Sequence, residues 1–129
     1  MKPSTAKNKG LETENSWVEF LVDNGVPFAE RRRQNGAEDR GDISGWVGVN
    51  EDGRRWRVVS EVKSGGVLKI PEWMRELLAE IKNDGADTGH IAVRPKGKPK
   101  PENWFIIMDV PGFMRLMDEA GFLPQKRNT

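Results

Sequence analysis

The chain contains no cysteine, which excludes disulfide bonds, thiolate metal sites and a cysteine nucleophile. It contains a single histidine, His90, which is too few for a histidine-based zinc cluster. His90 stands next to the apolar letters IAV in a predicted strand, which favours a structural role over a role as a general base. A chain without cysteine suits a reducing cytoplasm, where we expect this protein to be located.

No stretch is apolar for long enough to span a membrane, and no apolar run follows the basic N-terminus as a signal peptide requires. The net charge is only +1, which argues against binding nucleic acid through bulk charge. The basic residues are nevertheless clustered, and each cluster is either a phosphate contact or a solvated loop. The clusters are Arg31, Arg32 and Arg33; Arg54, Arg55 and Arg57; and Lys96, Lys98 and Lys100.

A chain of 129 residues fits one domain, which we expect over residues 11–123. Residues 1–10 are predicted to form a flexible arm and 124–129 a flexible tail. The hydrophobic periodicity predicts the order α-β-β-β-α-β-β-α, an α/β domain with a mixed five-stranded sheet flanked by helices. The predicted elements are a helix at about 12–24, strands at 26–33, 42–49 and 54–63, a helix at 71–85, strands at 89–94 and 104–110, and a helix at 111–121. In the helix at 71–85, Gly85 is predicted as the C-terminal cap, and an apolar stripe is predicted from Met74, Leu77, Leu78 and Ile81.

The third predicted strand, RWRVVSEVKSGG, carries an acid and a base among its valines. Alternation places Glu61 and Lys63 on one face of this strand. Their face carries Arg57, Val59, Glu61 and Lys63, and the other face carries Val58, Ser60 and Val62. The same letters E-x-K recur at Glu80 and Lys82, but on a predicted helix, where residues i and i+2 do not face each other. We therefore interpret Glu80 and Lys82 as a solvated helix face.

Asp42 opens the second predicted strand, and the hairpin turn NEDG, with Gly53 at positive φ, pairs that strand with the third. Asp42 and Glu61 are then expected at the same end of the sheet. Two neighbouring carboxylates repel each other, and Mg²⁺, which prefers oxygen ligands, would relieve that repulsion. The backbone carbonyl of Val62 is a further candidate ligand. Lys63 would orient an attacking water or stabilise charge on a phosphate.

Glu14 shares one face of the first predicted helix with Trp17, Val18 and Leu21, at spacings i, i+3, i+4 and i+7. Acids are seldom buried without a partner, so this position points to the predicted acidic site. The alternative is an acid in the first helical turn, stabilised by the helix dipole.

The segments KGLETE, DRGDISG and VVSEVKS resemble the PD-(D/E)xK nuclease superfamily, and within it the archaeal-type and phage Holliday junction resolvases. The resemblance covers residues 9–122, with Gly41 at the position of the signature proline. It implies a restriction-endonuclease-like fold and a Mg²⁺ site, in which Mn²⁺ would substitute. The implied site residues are Glu14, Asp42, Glu61 and Lys63, and the implied DNA contacts are Arg31, Arg32, Arg33 and Arg40.

The resemblance also implies a metal-dependent, structure-specific endonuclease that hydrolyses phosphodiester bonds in branched DNA. Such a resolvase acts as a homodimer in the cytoplasm, or in the host cytoplasm if a phage encodes it. Two alternatives stay open: another nuclease of the superfamily (nicking, repair or restriction-like), and a non-catalytic DNA-binding module. Lys96, Lys98 and Lys100 would contact a DNA arm. Trp73 and Phe113 or Met114 are either core residues, the interpretation that we favour, or part of a subunit contact.

Overall fold

The computed structural model describes residues 3–32 and 41–124, with side chains from Gly10 onwards. Three helices and six strands make up this part of the chain. In chain order they are α1 (Pro3–Asp23), β1 (Glu30–Arg31), β2 (Ile43–Ser44), β3 (Val47–Val49), β4 (Arg55–Ser64), α2 (Ile70–Asp84), β5 (Thr88–Arg94), β6 (Phe105–Ile107) and α3 (Val110–Glu119). A short 3-10 helix, Pro101–Asn103, precedes β6. None of these helices has the length and apolar character that crossing a membrane requires.

The strands form one mixed sheet in the order β1-β2-β4-β5-β6, with β3 also paired to β4. Strand β4 is antiparallel to β2 and β3 and parallel to β5, which it reaches through α2. The pairing of β4 with β5 runs from Val58↔Thr88 to Ser64↔Arg94, so both strands end at the same edge. The α/β class and the mixed sheet flanked by helices are as predicted.

The strand predicted over 42–49 is divided into β2 and β3, so the sheet has six strands rather than five. The break falls at Gly45, which has a φ of 82°. The carbonyl oxygen of Phe28 occupies the space where a Cβ at position 45 would lie. The chain therefore bends at the one position where glycine permits both the positive φ and the close backbone approach.

Two other elements differ in length from the prediction. Helix α1 begins at Pro3, within the segment predicted as an arm, whereas β1 has only the two residues Glu30 and Arg31 of the strand predicted over 26–33. The predicted turn chemistry is correct. Gly53 has a φ of 79° in the hairpin closed by the Asn50 N–H and Arg54 carbonyl, 2.9 Å apart. Gly85 caps α2 in the left-handed conformation.

The sheet has an apolar cluster on each face. Helix α1 packs Trp17 and Leu21 against Ile43, Ala92 and Trp104. On the opposite face, α2 packs Trp73 and Leu77 against Val59, Ile91 and Val93. The alternation of β4 places Val59 in the α2 cluster, while Val62 packs against the α1 cluster.

Three residues of the predicted apolar stripe face inward on α2: Leu77 is buried in the cluster, and Met74 and Ile81 pack against it. The prediction is wrong for Leu78, which is 46% exposed. The buried residues of α2 also include Trp73, Glu80 and Asp84. Trp73 is a core residue, as favoured. Phe113 and Met114 are 47% and 44% exposed on α3, so the core interpretation is wrong for these two residues.

Candidate active site at the end of β4

The face of β4 that carries Glu61 and Lys63 lies against helix α2. Asp84, Glu80 and Glu76 recur every four residues on α2, so they share one side of that helix. They meet alternate side chains of the strand. Arg57 pairs with Asp84 at 2.9 Å, Glu61 interacts with Glu80, which raises the pKa of Glu61, and Lys63 Nζ lies 3.1 Å from Glu76 Oε2. The predicted face of the third strand is thus confirmed.

Asp42 is fixed to the backbone of β4. Its Oδ2 accepts a hydrogen bond of 2.8 Å from the Val62 N–H, and its own N–H donates to the Ser60 carbonyl at 3.2 Å. The carboxylate is therefore held beside the peptide that joins Glu61 to Lys63. The contact shown for Val62 is through its amide N–H, whereas the predicted metal ligand is its backbone carbonyl.

Gly41 allows this approach of Asp42 to β4. It is buried with a φ of 99°, and a Cβ there would lie 2.7 Å from Val59 Cγ1 and 3.8 Å from Glu61 Oε1. Proline has its φ fixed at about −65° and cannot adopt this conformation. The positive φ and the close packing at position 41 therefore explain why this chain has glycine there and not proline.

Glu61 is 5% exposed, and its pKa is raised from 4.5 to about 11. Burial is the largest cause, followed by the hydrogen bond with Glu80 and the negative charge of Asp42. Lys63 Nζ lowers the pKa of Glu61 from a distance of 4.0 Å, but only partly offsets these effects. Without a cation, Glu61 therefore retains a proton at neutral pH.

Glu80 is the site residue that sequence reasoning missed. It is 2% exposed, and the interpretation of Glu80 as part of a solvated helix face is wrong. Lys82, at the second position of the same motif, is exposed as predicted. The signal that could have found Glu80 is its spacing from Leu77 and Asp84, which places all three on the inward side of α2.

Glu14 lies on α1 and is partly buried, as its shared face with Trp17 and Leu21 predicts. Its pKa is raised by burial and by the charge of Asp42, and the charge of Arg31 offsets this in part. Asp42 thus interacts with both Glu14 and Glu61. Within residues 3–32 and 41–124, however, no three acidic or histidine side chains form a group that could hold a metal ion.

Lys63 is held over the ring of Trp73, with Nζ 5.9 Å from the ring centroid, as well as against Glu76 and Glu61. Burial lowers its pKa, but the hydrogen bond with Glu76 and the charges of Glu61 and Asp42 outweigh that effect, so the net shift is upward. The side chain therefore stays a positively charged ammonium group at neutral pH.

The carboxyl groups of Asp42, Glu61 and Glu14 are chemically suited to bind a divalent cation. The charge of Asp42 raises the pKa of both Glu14 and Glu61, which shows that the three carboxyl groups are close enough to repel each other when ionised. A hard cation such as Mg²⁺ takes carboxylate oxygens and retains several waters, so it does not require a closed set of protein ligands. Asp42 and Glu61 would provide the direct ligands, and Glu14 would join them directly or through water.

The predicted DNA-binding residues lie in different surroundings. Arg31 is exposed and its charge reaches Glu14, whereas Arg32 is 3.4 Å from the buried carboxylate of Asp84. Lys96, Lys98 and Lys100 are all exposed on the loop between β5 and the 3-10 helix. Arg33 and Arg40 lie outside the described residues.

His90 belongs to a separate, buried arrangement on the α1 face of the sheet. Trp17 Nε1 donates a hydrogen bond of 2.8 Å to Ser60 Oγ, which lies 2.9 Å from His90 Nε2. The rings of Trp17 and Trp46 meet the imidazole edge-on. Burial lowers the pKa of His90 from 6.5 to about 4. His90 is therefore a neutral core residue, in agreement with the structural role that its sequence context favours.

No family model and no curated protein matches the chain. The chain is similar to a solved structure, SSO0001, with 17% sequence identity and a TM-score of 0.46. The similarity covers 98% of this chain but only 63% of SSO0001, so the chain spans less than two thirds of that structure. A likeness of this degree does not show a family.

Proposed function

We propose that the chain is a Mg²⁺-dependent DNA endonuclease of the PD-(D/E)xK superfamily with a restriction-endonuclease-like fold, acting in the cytoplasm as a Holliday junction resolvase. The observation that carries this proposal is the hydrogen bond from the Val62 N–H to Asp42 Oδ2. It places the carboxylate of the residue that precedes β2 beside Glu61 and Lys63. Two acids can bind a metal ion that activates water, and a lysine can stabilise the charge that develops on a phosphate.

In this proposal Asp42 and Glu61 would hold Mg²⁺, with Glu14 as a direct or water-mediated ligand. When bound, the cation would supply Lewis-acid activation of the phosphodiester and of the attacking water. Lys63, kept charged by Glu76 and Glu61, stabilises the negative charge that develops at the phosphate. Because it is an ammonium group, Lys63 acts through charge and orientation rather than as a general base.

We further propose that the biological unit is a dimer of two copies, because a four-way junction requires two paired cuts and two-fold symmetry supplies them. Strand β6 ends the sheet order, and α3 follows it. Apolar side chains of both elements are exposed there, a set that we name the β6–α3 surface. It consists of Phe105, Ile106, Val110, Phe113, Met114 and Leu116. Ile106, Val110, Phe113 and Leu116 of this set line one cavity, and clusters of exposed apolar residues are typical of protein interfaces.

The test compares cleavage of four-way, flap and linear DNA with Mg²⁺ or Mn²⁺, for the wild-type chain and for Asp42→Ala and Glu61→Ala. We expect metal-dependent cleavage, strongest on the four-way junction, and its loss in both variants while DNA binding is largely kept. Preferential cleavage of flap or linear DNA would indicate another nuclease of the superfamily. Wild-type DNA binding without cleavage in either metal would indicate a non-catalytic module. Cleavage by either variant at near wild-type rate would contradict the site assignment.

A further inference from the structure

A small cleft lies where the parallel strands β4 and β5 both end. It has a volume of about 220 Å³. It is formed by the loop that follows β4 and the loop that follows β5. The lining residues are Ser64, Gly65, Gly66, Arg94, Pro95, Lys96 and Gly97. In open α/β sheets, ligands bind beyond the carboxyl ends of parallel strands, which is where this cleft opens.

The glycines of the cleft leave its space open. Gly65 and Gly97 have φ angles of 112° and 77°, which favour glycine at both turns. Gly66 has no positive φ, and a Cβ at any of the three positions would meet no heavy atom within 4 Å. Neither backbone strain nor packing therefore accounts for the missing side chain at Gly66. The bare backbone leaves room for a ligand to approach closely.

The charge of the lining is positive. Arg94 and Lys96 contribute two cations, and none of the seven lining residues is acidic. The Arg94 side chain is only 13% exposed and is held in place by Thr13 Oγ1 at 3.2 Å and Glu12 Oε1 at 3.5 Å. An immobilised guanidinium loses little entropy when it binds an anion, and its planar donor fork matches a phosphate group. The open space is therefore suited to an anion.

The cleft begins at the residue that follows Lys63 of the candidate active site. Lys63 precedes Ser64, and Ser64 pairs with Arg94 in the last step of the β4–β5 ladder. Gly65 lies two residues beyond Lys63, about 7 Å along an extended chain. A DNA strand that places one phosphate at Lys63 would bring a neighbouring phosphate of the same strand to the cleft.

We infer that this cleft binds a backbone phosphate adjacent to the one that is hydrolysed. The inference rests on the proposed function for its choice of DNA as the ligand. Inorganic phosphate or a mononucleotide would present the same chemical group as a free ligand, and the experiment distinguishes these ligands from DNA.

The test uses Gly66→Asp in the full chain, with Gly66→Asn as a neutral control of the same shape. Affinity for a labelled four-way junction is measured without divalent cation, so that binding is observed whether or not cleavage occurs. Thermal unfolding of both variants checks that the fold is intact. We expect about tenfold weaker binding for Gly66→Asp, from repulsion between its carboxylate and the phosphate, and less than twofold change for Gly66→Asn.

Equal binding by all three proteins would overturn the inference, and so would an equal loss in both variants, which would reveal only a steric effect. A further arm titrates inorganic phosphate and a mononucleotide into the wild-type chain. Saturable binding of either one, together with junction binding that Gly66→Asp does not weaken, would assign the cleft to a free ligand and also overturn the inference. A wild-type chain that does not cleave DNA but shows the charge-specific loss would contradict the proposed function and leave the cleft assignment standing.

Discussion

The carboxyl groups of Glu61 on β4 and Glu80 on α2 are buried beside each other, so that Glu80 raises the pKa of Glu61 through both hydrogen bonding and negative charge. A hydrogen bond between two carboxyl groups requires a proton on one of them. The pair of carboxyl groups retains that proton at neutral pH, because burial and the neighbouring acids raise the pKa of Glu61 from 4.5 to about 11. The proposed cation ligand therefore shares a proton with Glu80 when no cation is bound, and this has measurable consequences.

The first consequence concerns stability against pH. Because the pKa of Glu61 is higher in the folded state than in the unfolded state, its contribution to the free energy of unfolding is complete below pH 4.5. That contribution is lost as the pH rises towards 11. Between these two pH values, the Glu61 carboxyl group alone lowers the free energy of unfolding by about 1.4 kcal/mol for each pH unit of increase. Glu61→Gln removes this dependence, so we expect that variant to be more stable than wild type at pH 7.5 by roughly 4 kcal/mol, which is that slope over the three pH units above 4.5.

Urea denaturation between pH 5 and 9 in the presence of a chelator measures this effect. Glu76→Gln is the matched control, because Glu76 is on the same side of α2 but about half exposed. We expect the control to change stability little. A Glu61→Gln protein that is less stable than wild type at every pH would contradict the shared proton.

A second prediction concerns the cation itself. Binding of Mg²⁺ to the folded state alone stabilises it by mass action. We expect 10 mM Mg²⁺ or Mn²⁺ to raise the wild-type melting temperature by about 2–4 °C, and to have no effect on a variant that carries both Asp42→Asn and Glu61→Gln. Calorimetry with and without chelator provides the measurement. An equal shift in the wild-type and variant proteins would place the cation elsewhere.

His90 predicts a pH dependence of the opposite sign. Its folded-state pKa of about 4 lies below its unfolded value of 6.5, so its contribution to stability is complete above pH 6.5 and is lost as the pH falls towards 4. The loss amounts to about 3 kcal/mol. His90→Gln keeps a polar group near Ser60 without titrating, so its unfolding free energy should fall less between pH 7 and 4.5. Chemical denaturation at the two pH values, in a Glu61→Gln background, isolates this effect; parallel curves would show that His90 is not the cause.

The loop that carries Lys96, Lys98 and Lys100 predicts a change in the salt dependence of DNA affinity. Each phosphate contact that is removed lowers the slope of log affinity against log salt by about 0.9 on duplex arms. We expect Lys96→Ala, in the phosphate cleft, and the pair Lys98→Ala with Lys100→Ala each to reduce that slope. Fluorescence anisotropy at 50–200 mM salt gives the slope, and Lys82→Ala, exposed on α2, is the control. A triple lysine variant with the wild-type slope would exclude the loop from the DNA contact.

The β6–α3 surface predicts the oligomeric state. Phe113→Glu introduces a charge into a proposed apolar contact, and burying an unpaired charge is costly. We expect wild type to sediment as a dimer and Phe113→Glu as a folded monomer. Phe28→Glu is the control, because the Phe28 side chain is 81% exposed and lies outside this surface. A wild-type monomer at all concentrations, or a dimer in the Phe113→Glu variant, would contradict the proposal.

The features that local rules determine were predictable from the sequence. The alternation of β4, the hairpin at Gly53 and the cap at Gly85 each follow from the chemistry of a few neighbouring residues. The approach of Asp42 to β4 followed from that hairpin, because pairing two strands fixes which of their ends meet.

The features that depend on a distant partner were not predictable in this way. The bend at Gly45 needs the carbonyl of Phe28, which no local pattern reveals. Glu80 is buried because Glu61 is opposite it, and a single sequence gives acids on a helix the default of a solvated face. Phe113 has an apolar helical pattern that predicts burial, but no described element covers it.

The stacking of Trp17 on Trp104, with ring centroids 5.8 Å apart, joins α1 to the loop beside β6. The chain has five tryptophans and no tyrosine, so its near-ultraviolet signal comes largely from indole rings. Glu14 is one helical turn from Trp17 on the same helix. The exciton signal of this ring pair therefore reports whether α1 is packed in place. Because Glu14 is on the same helix, the signal also reports whether Glu14 is positioned at the acidic site, without a label or a substrate.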